Sequence, residues 1–283
     1  MQDEKMRRFD RIKGVLYGVA IGDCLGAPFE FMSAREIQWN FDTVTDIMRG
    51  GWLNVPAGVG TDDTAMTLAV AEGIMKTPCG IDPIENIGAE FIKWFYDAPI
   101  GAGAACARSI NLASKRGKVK APKRETWFKA AEKAHYDMNG RSGGNGSLMR
   151  TAPVALFRPI NDPCSNLAFN VSKMTHYDED AAFACVMYCG IIRLLIRGYE
   201  MTDAVERALR GSPEYRGAFY ASGITDDYRP NPSGYVKDSF KTALWGIGET
   251  CDFETALIAV VNLGGDCDTT GAIVGGIAGA AYG

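Results

Sequence analysis

Glycine recurs every fourth residue at both ends of this chain: Gly14, Gly18, Gly22 and Gly26 near the start, and Gly271, Gly275, Gly279 and Gly283 at the finish. A glycine inside a helix costs roughly 1 kcal/mol relative to alanine. A spacing of four puts each set on one helix face, and such a ridge is costly unless it lets two backbones approach closely. The pattern predicts two glycine-faced helices, one from each end of the sequence, packed tightly in a central position. Chance placement at helix ends is the alternative, and eight glycines on register argue against it. Holding the chain ends together would also bring their polar neighbours close.

The rest of the chain reads as helix after helix. Apolar residues at helical spacing, with good N-cap residues, predict helices over 8–30, 61–76, 84–96, 126–134, 179–197, 202–210, 236–249, 253–262 and 269–282. Alternation with a period of two, the mark of strands, is scarce. A length of 283 residues allows one large core or two small ones. With no obvious linker, the expected fold is all-α, a single compact multi-helical domain over residues 1–283.

Charge and cysteine usage exclude several roles. The net charge of -4 and pI near 5.4 are too mild to imply a polyelectrolyte partner, so nucleic acid is not expected. The densest basic stretch, 114–124, is short and rich in loop formers, as a solvated loop would be. The eight cysteines (24, 79, 106, 164, 185, 189, 251 and 267) form no Cys-x-x-Cys pair. Neither a zinc site nor a disulfide framework is expected. The charged N-terminus and an apolar stretch interrupted by Asp23 do not read as a signal peptide. The apolar run 272–282 falls short of the roughly 20 residues that cross a bilayer. A cytoplasmic protein without a membrane segment is the expectation.

Two segments carry chemistry: Gly60-Thr61-Asp62-Asp63-Thr64 and Gly264-Gly265-Asp266-Cys267-Asp268-Thr269-Thr270. Each sets two carboxylates and neighbouring hydroxyls at the start of an apolar helix. Capping explains one acid at such a place, not two pairs. Converging carboxylates repel unless a cation sits between them or one is protonated. Only two histidines exist, and no cysteine cluster accompanies the acids. An all-oxygen donor set suits Mg²⁺, Mn²⁺ or Ca²⁺, and there are donors enough for two ions. The second segment alone also resembles the Asp-x-Asp-x-Thr nucleophile motif of haloacid-dehalogenase-like phosphatases. That motif normally opens its fold, and too little chain follows Thr270 to supply the rest.

With both segments in hand, the chain resembles the ADP-ribosylglycohydrolase family. Gly22-Asp23-Cys24-Leu25-Gly26-Ala27-Pro28-Phe29-Glu30 looks like the family's opening motif. Thr61-Asp62-Asp63-Thr64 looks like its first metal motif. Gly144-Asn145-Gly146-Ser147-Leu148-Met149-Arg150 is similar to its central segment, and Thr175-His176 falls where the family has Thr-His before a long helix. Gly264-Gly265-Asp266-Cys267-Asp268-Thr269 looks like the closing motif. Any one is weak, and five in order are specific.

The resemblance implies an all-α fold with a two-metal site in a cleft, holding two divalent cations, Mg²⁺ or Mn²⁺. Carried over, Thr61, Asp62, Asp63, Asp266, Asp268 and Thr269 ligate metal. Glu30 is the catalytic acid, and Asp23 orients the site from behind. Gly101, Gly144, Asn145, Gly146, Ser147 and His176 line the ADP-ribose channel, while Met149 and Arg150 support the loop. The reaction implied is hydrolysis of the glycosidic bond between ADP-ribose and a modified protein or related conjugate, arginine first among acceptors. One departure bears on the acceptor. Many members carry Asp directly before an Ile-Gly pair, but here Pro99 precedes Ile100-Gly101 and the nearest acid is Asp97. Serine, guanidine or nucleic-acid conjugates therefore stay open, as does a non-catalytic protein that binds ADP-ribose and metal. Relatives often continue past the closing motif, so a simpler edge of the fold, or one completed by a partner subunit, is expected after Gly283.

Overall fold

The glycine register at the two ends of the sequence forms a seam. The computed structural model describes residues 2–157, 165–224 and 228–283. In it α1 (Gln2–Gly26) and the final helix (Cys267–Tyr282) lie antiparallel, with Gly14, Gly18 and Gly22 against Gly279, Gly275 and Gly271. A Cβ on Gly18 would stand 2.0 Å from the Gly275 carbonyl oxygen, and one on Gly22 2.0 Å from that of Gly271. No side chain fits there. Gly26 meets the backbone of Cys267 and Asp268, so the seam runs up to the start of the final helix. Gly283, the C-cap of that helix, closes the seam at its other end, where a Cβ on Gly14 would stand 2.8 Å from the Gly283 carbonyl carbon.

Between these two run α2 (Ala34–Phe41), α3 (Asp62–Met75), α4 (Ile84–Phe95), α5 (Ala104–Ala113), α6 (Arg124–Asp137), α7 (Ala152–Phe157), α8 (Ser165–Lys173), α9 (Glu179–Ile196), α10 (Met201–Ala208), α11 (Pro213–Tyr220), α12 (Val236–Glu249) and α13 (Phe253–Val261). The final helix is α14. Among the described residues β-structure is confined to isolated bridges. The fold is all-α, as expected. Every residue of α14 from Cys267 to Ala280 is buried, and α14 packs against α1, α3, α9, α12 and α13. A helix apolar on all sides belongs at the centre of a core. Met6–Phe29, which covers most of α1 and the turn after it, is long and apolar enough to cross a membrane by length and composition, yet most of that stretch is buried in the fold.

The nine helices read from sequence are present, with ends shifted by a few residues. The first begins earlier and stops at Gly26, because Pro28 cannot continue an α-helix and residues Ala27–Phe29 tighten into a 3-10 turn. Five helices escaped the periodicity reading: α2, α5, α7, α8 and α11. Of these, α2 carries a legible start, the capping box of Ser33 and Glu36. Among the described residues no disulfide forms, and five of the seven cysteines there are buried. Cys164 lies outside the described residues.

Candidate active site

Two chain segments zip together to found the site. Phe31 N–H donates to the Gly265 carbonyl at 2.7 Å, and Gly265 N–H returns a bond to Met32 at 2.7 Å. Gly264 and Gly265 have φ of +69° and +65°, and a Cβ on Gly264 would stand 2.2 Å from the Met32 oxygen. The paired glycines before Asp266 are thus required by this close approach. The result sets Glu30 beside Asp266.

The start of α3 is capped from outside. Thr61 occupies the N-cap position but its own side chain caps nothing. Asp23, projecting from α1, accepts from Thr61 N–H (2.9 Å to Oδ2), Thr61 Oγ1 (2.9 Å), Thr64 N–H (3.0 Å) and Thr64 Oγ1 (2.5 Å). A carboxylate at a helix N-terminus is favourable, and this one locks α3 to α1. The sequence reading gave Asp23 an orienting role, which this geometry matches. The Thr61 hydroxyl is spent on Asp23 and does not line the cleft.

Two carboxylate clusters result, joined through Asp268. One is Asp23, Asp63 and Asp268, all buried, and the other is Glu30, Asp266 and Asp268, of which the first two are half-buried. In each, one oxygen from every residue lies within 4.8 Å of the others. Burial, and then the charges of Asp23, Asp62 and Asp266, push the Asp63 carboxyl well above the usual range. Burial and the Asp63 charge do the same to Asp268. Burial raises Asp62 to about 6. Burial also raises Glu30 to about 7, against the opposing hydrogen bond from Trp52.

These residues fit hard cations. Asp63 Oδ1 is buried without a hydrogen-bond donor, and an uncompensated buried carboxylate oxygen is costly unless something positive meets it. Thr269 Oγ1 stands 3.4 Å from Asp63 Oδ2 as a further oxygen. Asp62, expected among the ligands, stands in neither cluster, although it lines the same cleft.

The opposite wall comes from the 3-10 turn Asn145–Ser147 and the residues before α9. Arg150 is wholly buried. Its guanidinium donates to Thr175 Oγ1 (2.6 Å) and the Val171 carbonyl (3.3 Å) and lies 4.4 Å from the Phe91 ring centroid. Thr175 Oγ1 in turn stands 2.8 Å from His176 Nδ1. Arg150 donates to that oxygen and leaves the hydroxyl hydrogen free to point at Nδ1, the arrangement in which Nε2 carries the ring proton. Burial and the Arg150 charge lower the His176 pKa to about 3, so the ring is neutral. The Arg150 role matches the supporting one read from sequence.

A cleft of about 430 Å³ lies between the walls, within the range of small-molecule sites. Glu30, Asp62, Asp63, Asp266, Asp268, Thr269, Gly101, Gly144, Asn145, Gly146 and His176 line it, as the sequence reading grouped them. Asn145 lines the cleft as expected and has a second role, while Ser147 stands outside the cleft. The Asn145 side-chain amide donates to Asp266 Oδ2 (2.9 Å) and to Ser239 (2.9 Å), so it holds the acid wall in place. Ser147 does not reach the cleft, because its hydroxyl is buried and accepts from Ser172 at 2.8 Å. Asp97 is exposed and does not line the cleft either. Instead the backbone at Gly101 abuts Asp62, whose oxygen would lie 2.5 Å from a Cβ there. Sequence reasoning missed Phe31, Trp52 and Arg141, which also line the cleft. Single aromatic and basic residues in loops carry no spacing signal.

An all-helical fold with linked carboxylate clusters on the floor of a ligand-sized cleft has the donor set of a hard-cation hydrolase. Comparison with known proteins makes this specific. The ADP-ribosylglycohydrolase family model matches residues 4–283. The chain is 32% identical over 276 residues to an ADP-ribosyl-[dinitrogen reductase] glycohydrolase of Rhodospirillum rubrum, covering 97% of this chain and 86% of that protein. It is 29% identical over 279 residues to the ADP-ribosylarginine hydrolase Tri1 of Pseudomonas putida, covering 97% and 71%. A solved structure described as an ADP-ribosylglycohydrolase-related protein complex superposes with a TM-score of 0.75 at 29% identity, over 98% of this chain and 89% of that one. The chain belongs to the ADP-ribosylglycohydrolase family, enzymes that hydrolyse glycosidic linkages to ADP-ribose with divalent metal ions.

Proposed function

We propose that this protein removes ADP-ribose from modified arginine side chains of a protein, with two divalent cations, Mg²⁺ or Mn²⁺. The observation that carries the metal dependence is the pair of clusters sharing Asp268, with Asp63 Oδ1 buried and unmatched. Asp62, Asp63, Asp266, Asp268 and Thr269 would hold the ions. Cations there supply charge neutralisation, orientation of sugar hydroxyls and a more acidic water. The arginine acceptor is supported by the relative named for ADP-ribosylarginine.

The chain's own groups divide the remaining work. The anomeric carbon–nitrogen bond breaks through an oxocarbenium-like state. The departing guanidine takes up a proton, and water supplies the new oxygen and releases one. Glu30, at the cleft and fixed by the Trp52 indole N–H at 2.6 Å, is placed for that proton transfer. Neutral His176 offers its Nε2–H as a donor to substrate oxygens. Asn145 keeps Asp266 in position.

The test is release of free ADP-ribose from an arginine-ADP-ribosylated protein with Mg²⁺, with Mn²⁺ and with EDTA. Release with either ion and none in EDTA is expected. Release in EDTA would remove the metal from the proposal. Release only from a serine conjugate would replace the acceptor.

A further inference from the structure

Phe31 and Trp52 are 65% and 62% exposed, yet both line the cleft beside Glu30. Large aromatic side chains normally gain by burial. Here the backbone turns them outward and holds them there. Phe31 sits at φ 68°, a left-handed conformation strained for a bulky residue, and its N–H is tied to Gly265. Trp52 rides on a short turn closed by reciprocal hydrogen bonds between Gly50 and Val55 (3.1 and 2.9 Å). Gly51 seats that turn against Ala27 and Pro28 so closely that a Cβ would lie 2.8 Å from the Ala27 oxygen. The two rings stand 5.7 Å apart, tilted by 39°. The indole N–H reaches Glu30 Oε2. Two fixed aromatic faces are thus joined to a carboxylate at the lip of an acidic cleft.

We propose that Phe31 and Trp52 form the acceptor subsite and hold a planar cation, the guanidinium group of the arginine released from ADP-ribose. A guanidinium is flat, delocalised and weakly hydrated, so it stacks on aromatic faces and pairs with carboxylates. A serine hydroxyl offers neither contact. Adenine also stacks, but it is uncharged and gains nothing from the Glu30 carboxylate that the Trp52 indole contacts. The cationic side chain lining the cleft is Arg141, which does so with Gly144, Gly146 and His176. This inference rests on the arginine reading above and says which residues make the choice.

The experiment uses the full chain with Mg²⁺ and saturating ADP-ribose. Arginine amide is titrated in by calorimetry, on wild type, Phe31→Ala and Trp52→Leu. Both residues are exposed, so folding is not at stake, and Phe31→Ala leaves the Trp52–Glu30 hydrogen bond in place. Saturable binding by wild type is expected, weakened about five-fold or more in each variant. ADP-ribose affinity should stay within about two-fold. In turnover by Phe31→Ala, KM for the arginine conjugate should rise while KM for a serine conjugate, if it is cleaved, stays put. No binding of arginine amide by wild type, or equal binding by wild type and both variants, overturns the subsite. So does a parallel loss of ADP-ribose affinity, which would make the rings an adenine platform. If wild type binds arginine amide through the rings but does not cleave the arginine conjugate, the proposed reaction fails and the subsite stands.

Discussion

The two walls of the cleft carry opposite charges, and neither is neutralised from within its own wall. On the α1–α3–α14 side, five aspartates and glutamates from the two clusters crowd together, three of them buried. On the other, Arg150 is buried among Thr175, Val171, two sulfur atoms and the Phe91 ring, none of which bears a negative charge. Removing a charge from water without a partner costs several kcal/mol. The acid wall has an outlet, because a divalent cation converts its repulsion into binding energy. The Arg150 wall has a different one. Burial, with the Arg150 charge added to it, holds His176 neutral, and the wall faces a cleft whose proposed ligand carries a diphosphate. A ligand spanning both walls meets electrostatics that are already in place, with little reorganisation needed when it reacts.

That contrast can be broken most severely at Asp268, the residue both clusters share. Asp268→Asn should cut turnover by at least about 10³-fold, some 4 kcal/mol of barrier. The same change should raise the melting temperature in EDTA, because a buried like charge is gone. Retained turnover, or a lower melting temperature in EDTA, would mean that Asp268 is not the acid linking the two clusters around metal. Next in size is metal removal. At a metal concentration of about 100 Kd the bound form gains about 2.7 kcal/mol per site, or roughly 4–5 °C in melting temperature. EDTA should reverse that gain, and a melting curve indifferent to Mn²⁺ would leave the acid wall uncompensated.

The His176 wall should answer to pH with the other sign. The folded pKa of His176, about 3, lies below its ordinary value of 6.5. Above the higher value neither state binds a proton there, and the contribution to stability is fully present. As pH falls below it, the unfolded chain takes up a proton that the folded ring refuses, so stability declines, by roughly 2 kcal/mol between about pH 7.5 and pH 5. Asp63 and Asp268, whose folded pKa values are raised, gain stability over acidification instead. His176→Gln should remove the declining part in urea unfolding, and identical slopes in the two proteins would mean the ring is not held neutral. The smallest effect is expected at Ser147. Ser147→Ala loses one buried hydrogen bond to Ser172, worth about 1 kcal/mol, and turnover should hardly move. A large rise in KM would return Ser147 to the substrate.

The parts of this molecule that sequence displays are those built from local spacing. The glycine register displays the α1–α14 seam, and the paired acids after Gly60 and Gly265 display the cleft floor. What sequence hides depends on partners distant along the chain. Asp23 caps α3 from another helix, although nothing near Thr61 in sequence announces it. Ser147 sits in a run of turn-forming residues and reads, by the family resemblance, as part of the ADP-ribose channel. Its burial is decided by Ser172, on a different helix. The Asn145 amide likewise is claimed by Asp266 and Ser239. Among the overlooked helices, α5 starts after Gly101-Ala102-Gly103 with no capping side chain to mark it, and α7 opens on Ala152-Pro153, which by itself resembles a turn. Phe31 and Trp52 stand out only once their exposure and strain are visible in three dimensions.

On the proposed function, the two linked carboxylate clusters hold divalent cations. The most direct measurement is the number of Mn²⁺ ions bound per chain, counted by electron paramagnetic resonance of free Mn²⁺ for wild type and Asp268→Asn. Two ions on wild type, with the variant losing one or both, is the result predicted. No bound ion on wild type, or an unchanged count in the variant, would contradict it.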